Sequence, residues 1–124
     1  MEHAYLDKAA RGKIGEDTVA IYLQEEKFTI VARNFRTRFG EVDIIAQKKD
    51  LLAFVEVKLR SSQRVDPAEL ILLSKQKKII MVAKHFLGLQ KNQNVTVRFD
   101  VALVEYSGNQ CTVRYIQDAF SSFD

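Results

Sequence analysis

The sequence of 124 residues contains a single cysteine, Cys111, which excludes an internal disulfide framework and a cysteine-built zinc site. It has one proline and five glycines, and they nowhere gather into a linker that would mark a domain boundary. No internal repeat or low-complexity tract appears. The opening stretch, MEHAYLDKAARGKIGE, lacks the apolar core of a signal peptide, and no apolar run is long enough to span a bilayer. His3 and His85 are too isolated to form a metal pair. Neither a Ser/His/Asp set nor a glycine-rich phosphate loop is evident. Together these absences predict one domain over residues 1–124, in a reducing cytoplasm and without a membrane partner.

What is present is a core and a slight basic excess. Hydrophobic residues make up 47% of the chain, enough to fold without staples, and charged residues make up 28%. The formal net charge of +3 leans towards polyanionic partners without identifying one.

Periodicity predicts a helix over about Leu6–Lys27, with Gly12, Glu16, Val19, Ala20 and Leu23 on one face. Ala10, Ile14 and Ile21 form a second apolar stripe, so the helix is expected to be covered on more than one side. Strands are expected at Phe28–Phe35, Gly40–Gln47 and Leu51–Arg60, the last two joined through Lys48–Asp50. A second helix is expected to start at Pro67 or Ser74 and to stop at Gly88. Two closing strands flank Ser107-Gly108-Asn109-Gln110, a strong turn signal. The order is helix, three strands, helix, two strands. The helix between Leu51–Arg60 and Val95–Tyr106 would make those two strands parallel by a right-handed crossover. The predicted fold is therefore α/β, a mixed β-sheet flanked by helices.

Charge in the strand runs carries the chemistry. Asp43, Glu56 and Lys58 stand among Val, Ile, Leu and Phe, where an uncompensated charge is costly. Alternation puts Glu56 and Lys58 on one face, and Glu41 and Asp43 on a face opposite Val42, Ile44 and Ala46. A two-residue turn at Lys49-Asp50 would pair Lys48 with Leu51 and, counting back along the strands, Asp43 with Glu56. Carboxylates directly opposed across two strands have Cβ atoms about 5 Å apart and repel unless a cation or proton intervenes. A hard cation such as Mg²⁺ would resolve the conflict, and a nearby Lys58 could hold a phosphate oxygen or orient an attacking water. Glu16 adds a carboxylate on the small-residue face of the first helix, and Gln76 lies on the apolar stripe of the second.

These residues resemble a known signature. Asp43, a spacer and Glu56-Val57-Lys58 look like the motif of the PD-(D/E)XK nuclease superfamily, and Glu16 and Gln76 are similar to positions in archaeal Holliday-junction resolvases of that superfamily. More closely, GEDTVAIYL, GEVDIIA, FVEVKLR, the Lys75-Gln76 pair and VRFDVALV resemble the YraN-like family of small bacterial proteins, from about Gly12 to Val104. The resemblance implies a restriction-endonuclease-like fold and a Mg- or Mn-dependent nuclease acting on DNA more than RNA, with branched DNA as an analogy. It implies that Asp43, Glu56 and the Val57 carbonyl bind the metal, and that Glu16 binds a second metal or anchors a water. It further implies that Lys58 positions or deprotonates the water and that Gln76 supports it. A homodimer is compatible with the resolvase likeness. Where the superfamily has Pro-Asp, this chain has Val42-Asp43.

Arg33, Arg36 and Arg38, Arg60 and Arg64, and Lys75, Lys77 and Lys78 fall in segments bordering the proposed site, where they would engage phosphates. Phe35 and Phe39 would stack on bases or complete the core. Asp100 is read as structural, pairing with Arg98 or capping the edge of the site, and Cys111 as a small buried hydrophobe. Plainer readings exist throughout: salt-bridged strand carboxylates for Asp43 and Glu56, a polar stripe for Glu56 and Lys58, a solvated helix residue for Glu16, a first-turn residue for Gln76. At the level of function, the rivals to a nuclease are a non-catalytic nucleic-acid-binding module and a protein-interaction adaptor.

Overall fold

The computed structural model describes residues 8–60, 71–90, 94–107 and 110–121. Arg64, a helix start at Pro67 and the Gly108-Asn109 turn lie outside the described residues, as does the side chain of Arg60. The chain runs α1 (Lys8–Glu25), β1 (Thr29–Thr37), β2 (Gly40–Lys48), β3 (Leu51–Arg60), α2 (Leu73–Leu89), β4 (Thr96–Ser107) and β5 (Gln110–Phe120). The predicted order holds. The five strands form one sheet in sequence order, with β3 and β4 parallel and the other neighbours antiparallel. A parallel pair needs a crossover, and α2 supplies it.

Central β3 and β4 are covered on both faces, which explains their unbroken apolar runs. On one face α1 contributes Val19 and Leu23 to a core with Ile44, Val55, Ala102 and Val104. On the other, Val82 and Phe86 of α2 pack with Phe54, Phe99, Val101 and Leu103. Phe54 meets Phe86 edge-on at 5.9 Å and stacks on Phe99 at 5.8 Å between ring centroids.

Two helix expectations are corrected. The second stripe of α1 is not covered: Ile14 and Ile21 are 38% and 55% exposed, because the sheet receives only the Val19–Leu23 face. Gly12 is open, and Gly15 is where the helix closes on the sheet. A Cβ at Gly15 would stand 2.9 Å from Leu59 Cδ2 and 3.3 Å from Val104 Cγ1. Gly15→Val is therefore expected to destabilise the protein by about 1–3 kcal/mol through overpacking, measurable by urea denaturation. Gly88 does not stop α2. The helix continues to Leu89 and leaves through Gln90 in an extended conformation (φ −91°), an exit that needs no glycine.

The β2–β3 hairpin forms in the predicted register, from Lys48 opposite Leu51 to Ile44 opposite Val55. Its two-residue turn holds Lys49 at φ 56°, in the left-handed region. The strict alternation expected along β2 fails at its other end. Val42 joins the α2-side core with Ile45, whereas Ile44 and Ala46 face α1. Asn34, which the flanking pairs Arg33–Ile44 and Phe35–Val42 set against Asp43, has φ 53°. This local coiling turns the end of the hairpin away from the regular pleat, and Asp43 sits at the point of departure.

Candidate active site

The β2–β3 ladder ends at Ile44–Val55. One residue further on, Asp43 takes over as acceptor, and the Val57 N–H donates to its Oδ2 at 2.8 Å. A side-chain carboxylate thus replaces a backbone carbonyl where the strands part, which fixes Asp43 beside Glu56. Glu56 is 5% exposed. Its Oε2 lies 2.9 Å from Lys75 Nζ in the first turn of α2. Its Oε1 is buried without a hydrogen-bond partner among the described residues. A buried carboxylate oxygen without a partner is expensive, so it calls for a proton from its neighbour or a cation.

Burial pushes the Asp43 carboxyl up to about 7, the Glu56 charge adds to the rise, the Val57 N–H partly opposes it, and a hydrogen bond with the Glu56 carboxyl raises it further. Glu16 contributes a smaller upward push, so three acids converge electrostatically. They do not all converge sterically. Among the described residues, no three carboxylate, imidazole or thiol groups form a metal cage. Glu16 stands one step back, its Oε1 accepting from Arg33 Nε at 3.0 Å, Arg33 Nη2 at 2.8 Å and Asn34 Nδ2 at 3.0 Å.

Asp43 and Glu56 fit a divalent ion. They present hard oxygen donors, one of them buried and unpaired, with a single ammonium set against two carboxyl groups. Val57 lies between Glu56 and Lys58, and its N–H holds Asp43. Lys58 follows Glu56 on the same face of β3, partly buried and without an ion pair among the described residues. Gln76 does not reach Lys58; its Nε2 donates to Ile71 O at 3.0 Å and ties down the start of α2.

With this geometry the profile of the uncharacterised protein family UPF0102 matches residues 15–104, a span that holds Glu16, Asp43, Glu56, Lys58 and Gln76. The chain belongs to the UPF0102 family. It is similar to a UPF0102 protein of Desulforapulum autotrophicum, 41% identical over 93% of this chain and 96% of that one. A UPF0102 protein of Rhodococcus jostii is 43% identical over 90% of this chain and 96% of its own length. One from Alkaliphilus metalliredigens is 39% identical over 88% and 96%, respectively.

In this UPF0102 protein the basic residues around the site divide by their partners. The Arg33 guanidinium is held by Glu16 at 2.8 Å and by Asp17 at 2.6 Å. Arg36 pairs with Glu41 at 2.8 Å, though its side chain is 76% exposed. Arg38 lies 4.9 Å over the Phe39 ring. Lys77 and Lys78 are exposed and make no ion pair among the described residues. Phe35 packs edge-on against Phe86 at 5.2 Å, which makes it a core residue.

Two participants were not legible in sequence. Lys75 reads there as half of the Lys75-Gln76 pair and as a phosphate contact, and nothing in its spacing announces Glu56 as its partner. Asn34 gives only a weak signal, as one of the few residue types that tolerate the left-handed region.

The raised Asp43 pKa has a consequence for the metal-free UPF0102 protein. An unfolded Asp43 titrates at its ordinary 3.8 and the folded one at about 7, so between those values the folded state binds more protons. The stability this group contributes is therefore full below about pH 4 and falls as pH rises to about 7. Asp43→Asn keeps an acceptor for Val57 and offers Glu56 a donor. In chelator at pH 8 it is expected to melt above the wild type, and the difference should vanish near pH 4.

Proposed function

We propose that this protein is a divalent-metal-dependent nuclease that hydrolyses phosphodiester bonds, with DNA favoured over RNA. The observation that carries the proposal is the buried Glu56 Oε1, without a hydrogen-bond partner among the described residues, beside Asp43. The likeness to the PD-(D/E)XK superfamily supports the same reading, because Asp43, Glu56 and Lys58 are its signature positions and lie at the parting of β2 and β3.

Asp43 and Glu56 would hold Mg²⁺ or Mn²⁺. When bound, such an ion supplies Lewis-acid polarisation of a phosphoryl oxygen. The chain's own residues prepare the rest. The Val57 N–H orients Asp43, and Arg33 and Asn34 hold the Glu16 carboxylate. Lys58 offers an ammonium on the Glu56 face, suited to a nonbridging phosphate oxygen or to orienting the attacking water. Arg38, Lys77 and Lys78 would steer the polyanion, and such contacts weaken with salt. Branched DNA is the first substrate to try, on the resolvase likeness alone.

The decisive experiment incubates the purified protein with linear, single-stranded and branched DNA in Mg²⁺, Mn²⁺ or chelator. Metal-dependent cleavage of at least one substrate is the expected result, and inertness across the panel with both metals would sink the proposal. Binding that weakens with salt but ignores metal would indicate a non-catalytic nucleic-acid-binding module instead.

A further inference from the structure

Glu56 and Lys75 are paired unequally. The carboxylate is fixed in the interior, its side chain 5% exposed, whereas the Lys75 side chain is 48% exposed and arrives from the solvent side. Lys75 belongs to the first turn of α2, so its backbone is held by the helix while a flexible four-carbon stem carries the charge. Glu56 Oε2 receives that ammonium and Glu56 Oε1 receives nothing among the described residues. A buried carboxylate left without any counter-charge would be strongly destabilising. Lys75 is thus what makes Glu56 tolerable in a protein without metal, and it does so on an oxygen of the group proposed to hold the ion.

We infer that Lys75 is the internal counter-cation of the carboxylate pair, and that a divalent ion must compete with its ammonium for Glu56. The inference rests on the metal-site reading given above and adds a determinant of metal occupancy. It also separates two roles that the sequence merges. Lys58, next to Glu56 on β3, faces the site without an ion pair among the described residues, whereas Lys75 is already committed to a carboxylate.

Competition and simple structural support predict opposite signs. If Lys75 only holds Glu56 in place, removing its charge weakens metal binding. If it competes, removing the charge strengthens binding. Calorimetric titration of Mn²⁺ into chelator-treated, desalted protein decides between them for wild type, Lys75→Gln and Lys75→Arg. Lys75→Gln keeps a donor for Glu56 Oε2 and is expected to bind Mn²⁺ about tenfold more tightly, within the usual range of coupling between two ligands of one protein. Lys75→Arg retains the charge and should stay near the wild type. Lys75→Met, of similar volume and without a donor, repeats the measurement should the glutamine variant fold poorly.

Equal or weaker Mn²⁺ binding by the uncharged variants, with binding by wild type intact, overturns the competition and leaves the metal site standing. Absence of Mn²⁺ binding in every protein overturns the metal site itself, and the competition with it. Binding by Lys75→Gln alone would support the competition in its strongest form.

Discussion

Asp43→Ala and Glu56→Gln are each expected to abolish calorimetrically detectable Mn²⁺ binding, and to reduce metal-dependent DNA cleavage at least about a thousandfold, on the scale seen when a central electrostatic or catalytic group is removed. Among the described residues these are the two acids that the β2–β3 geometry sets side by side, so neither has a substitute there. Asp43 is anchored by the Val57 N–H at 2.8 Å, and Glu56 is held in the interior with one oxygen unpaired. Loss of either leaves a single carboxylate facing the Lys75 ammonium, a neutral pair with little affinity for a divalent ion. The folds of the variants should survive, and for a particular reason: Asp43 titrates high because the site penalises its charge. Unchanged far-ultraviolet circular dichroism with lost metal binding is the expected combination. Retention of full Mn²⁺ affinity by Asp43→Ala would remove the carboxylate pair from consideration as the metal site.

The largest loss of stability is expected elsewhere, at Asp100. This residue is fully buried on β4, on the face of the sheet turned towards α1. Its carboxylate accepts from Arg98 Nε at 2.9 Å and Nη2 at 3.0 Å, from Tyr115 OH at 2.6 Å and from Asp118 N at 2.9 Å. The last bond matters for the backbone. The β4–β5 register slips between Phe99 and Val101, and Asp118 has φ 54°, so Asp100 satisfies an amide that the irregular ladder would otherwise orphan. Burial raises the Tyr115 hydroxyl pKa and the Asp100 charge raises it further, while Asp100 also lifts that of Arg98. Both partners therefore keep their donated protons.

Asp100→Ala would strand a guanidinium, a phenol and an amide together. The expected cost is about 3–5 kcal/mol, read as a lower urea midpoint, with Asp100→Asn intermediate because it keeps one acceptor. Since Glu56 belongs to the opposite face of the sheet, Mn²⁺ binding by the folded fraction should be unchanged. A small loss of stability would show that Arg98 and Tyr115 find other partners or water.

The contrast between Asp43 and Asp100 explains why charge in a strand is ambiguous in sequence. Both stand in runs of branched aliphatic residues. Asp100 has an arginine two residues earlier on the same strand face, a relation that sequence alone exposes, and the predicted Arg98 pairing is present. Asp43 has no such local partner. Its environment is made by a hairpin register, a left-handed Asn34 on the neighbouring strand and a helix that begins 30 residues later in the chain.

Alternating and continuous apolar patterns, with turn residues between them, were enough to determine the element order, the parallel β3–β4 pair and the hairpin that brings Asp43 towards Glu56. These are local consequences of side-chain period and loop length, which any reader of the chain can count. Tertiary structure alone decided which charges cancel. It tied Arg33 to Glu16 and Asp17, turned Gln76 to Ile71, left Ile14 and Ile21 exposed and brought Lys75 onto Glu56. Ion pairs form between side chains whose backbones are placed by packing on two faces of a sheet, and no spacing along the chain encodes that meeting.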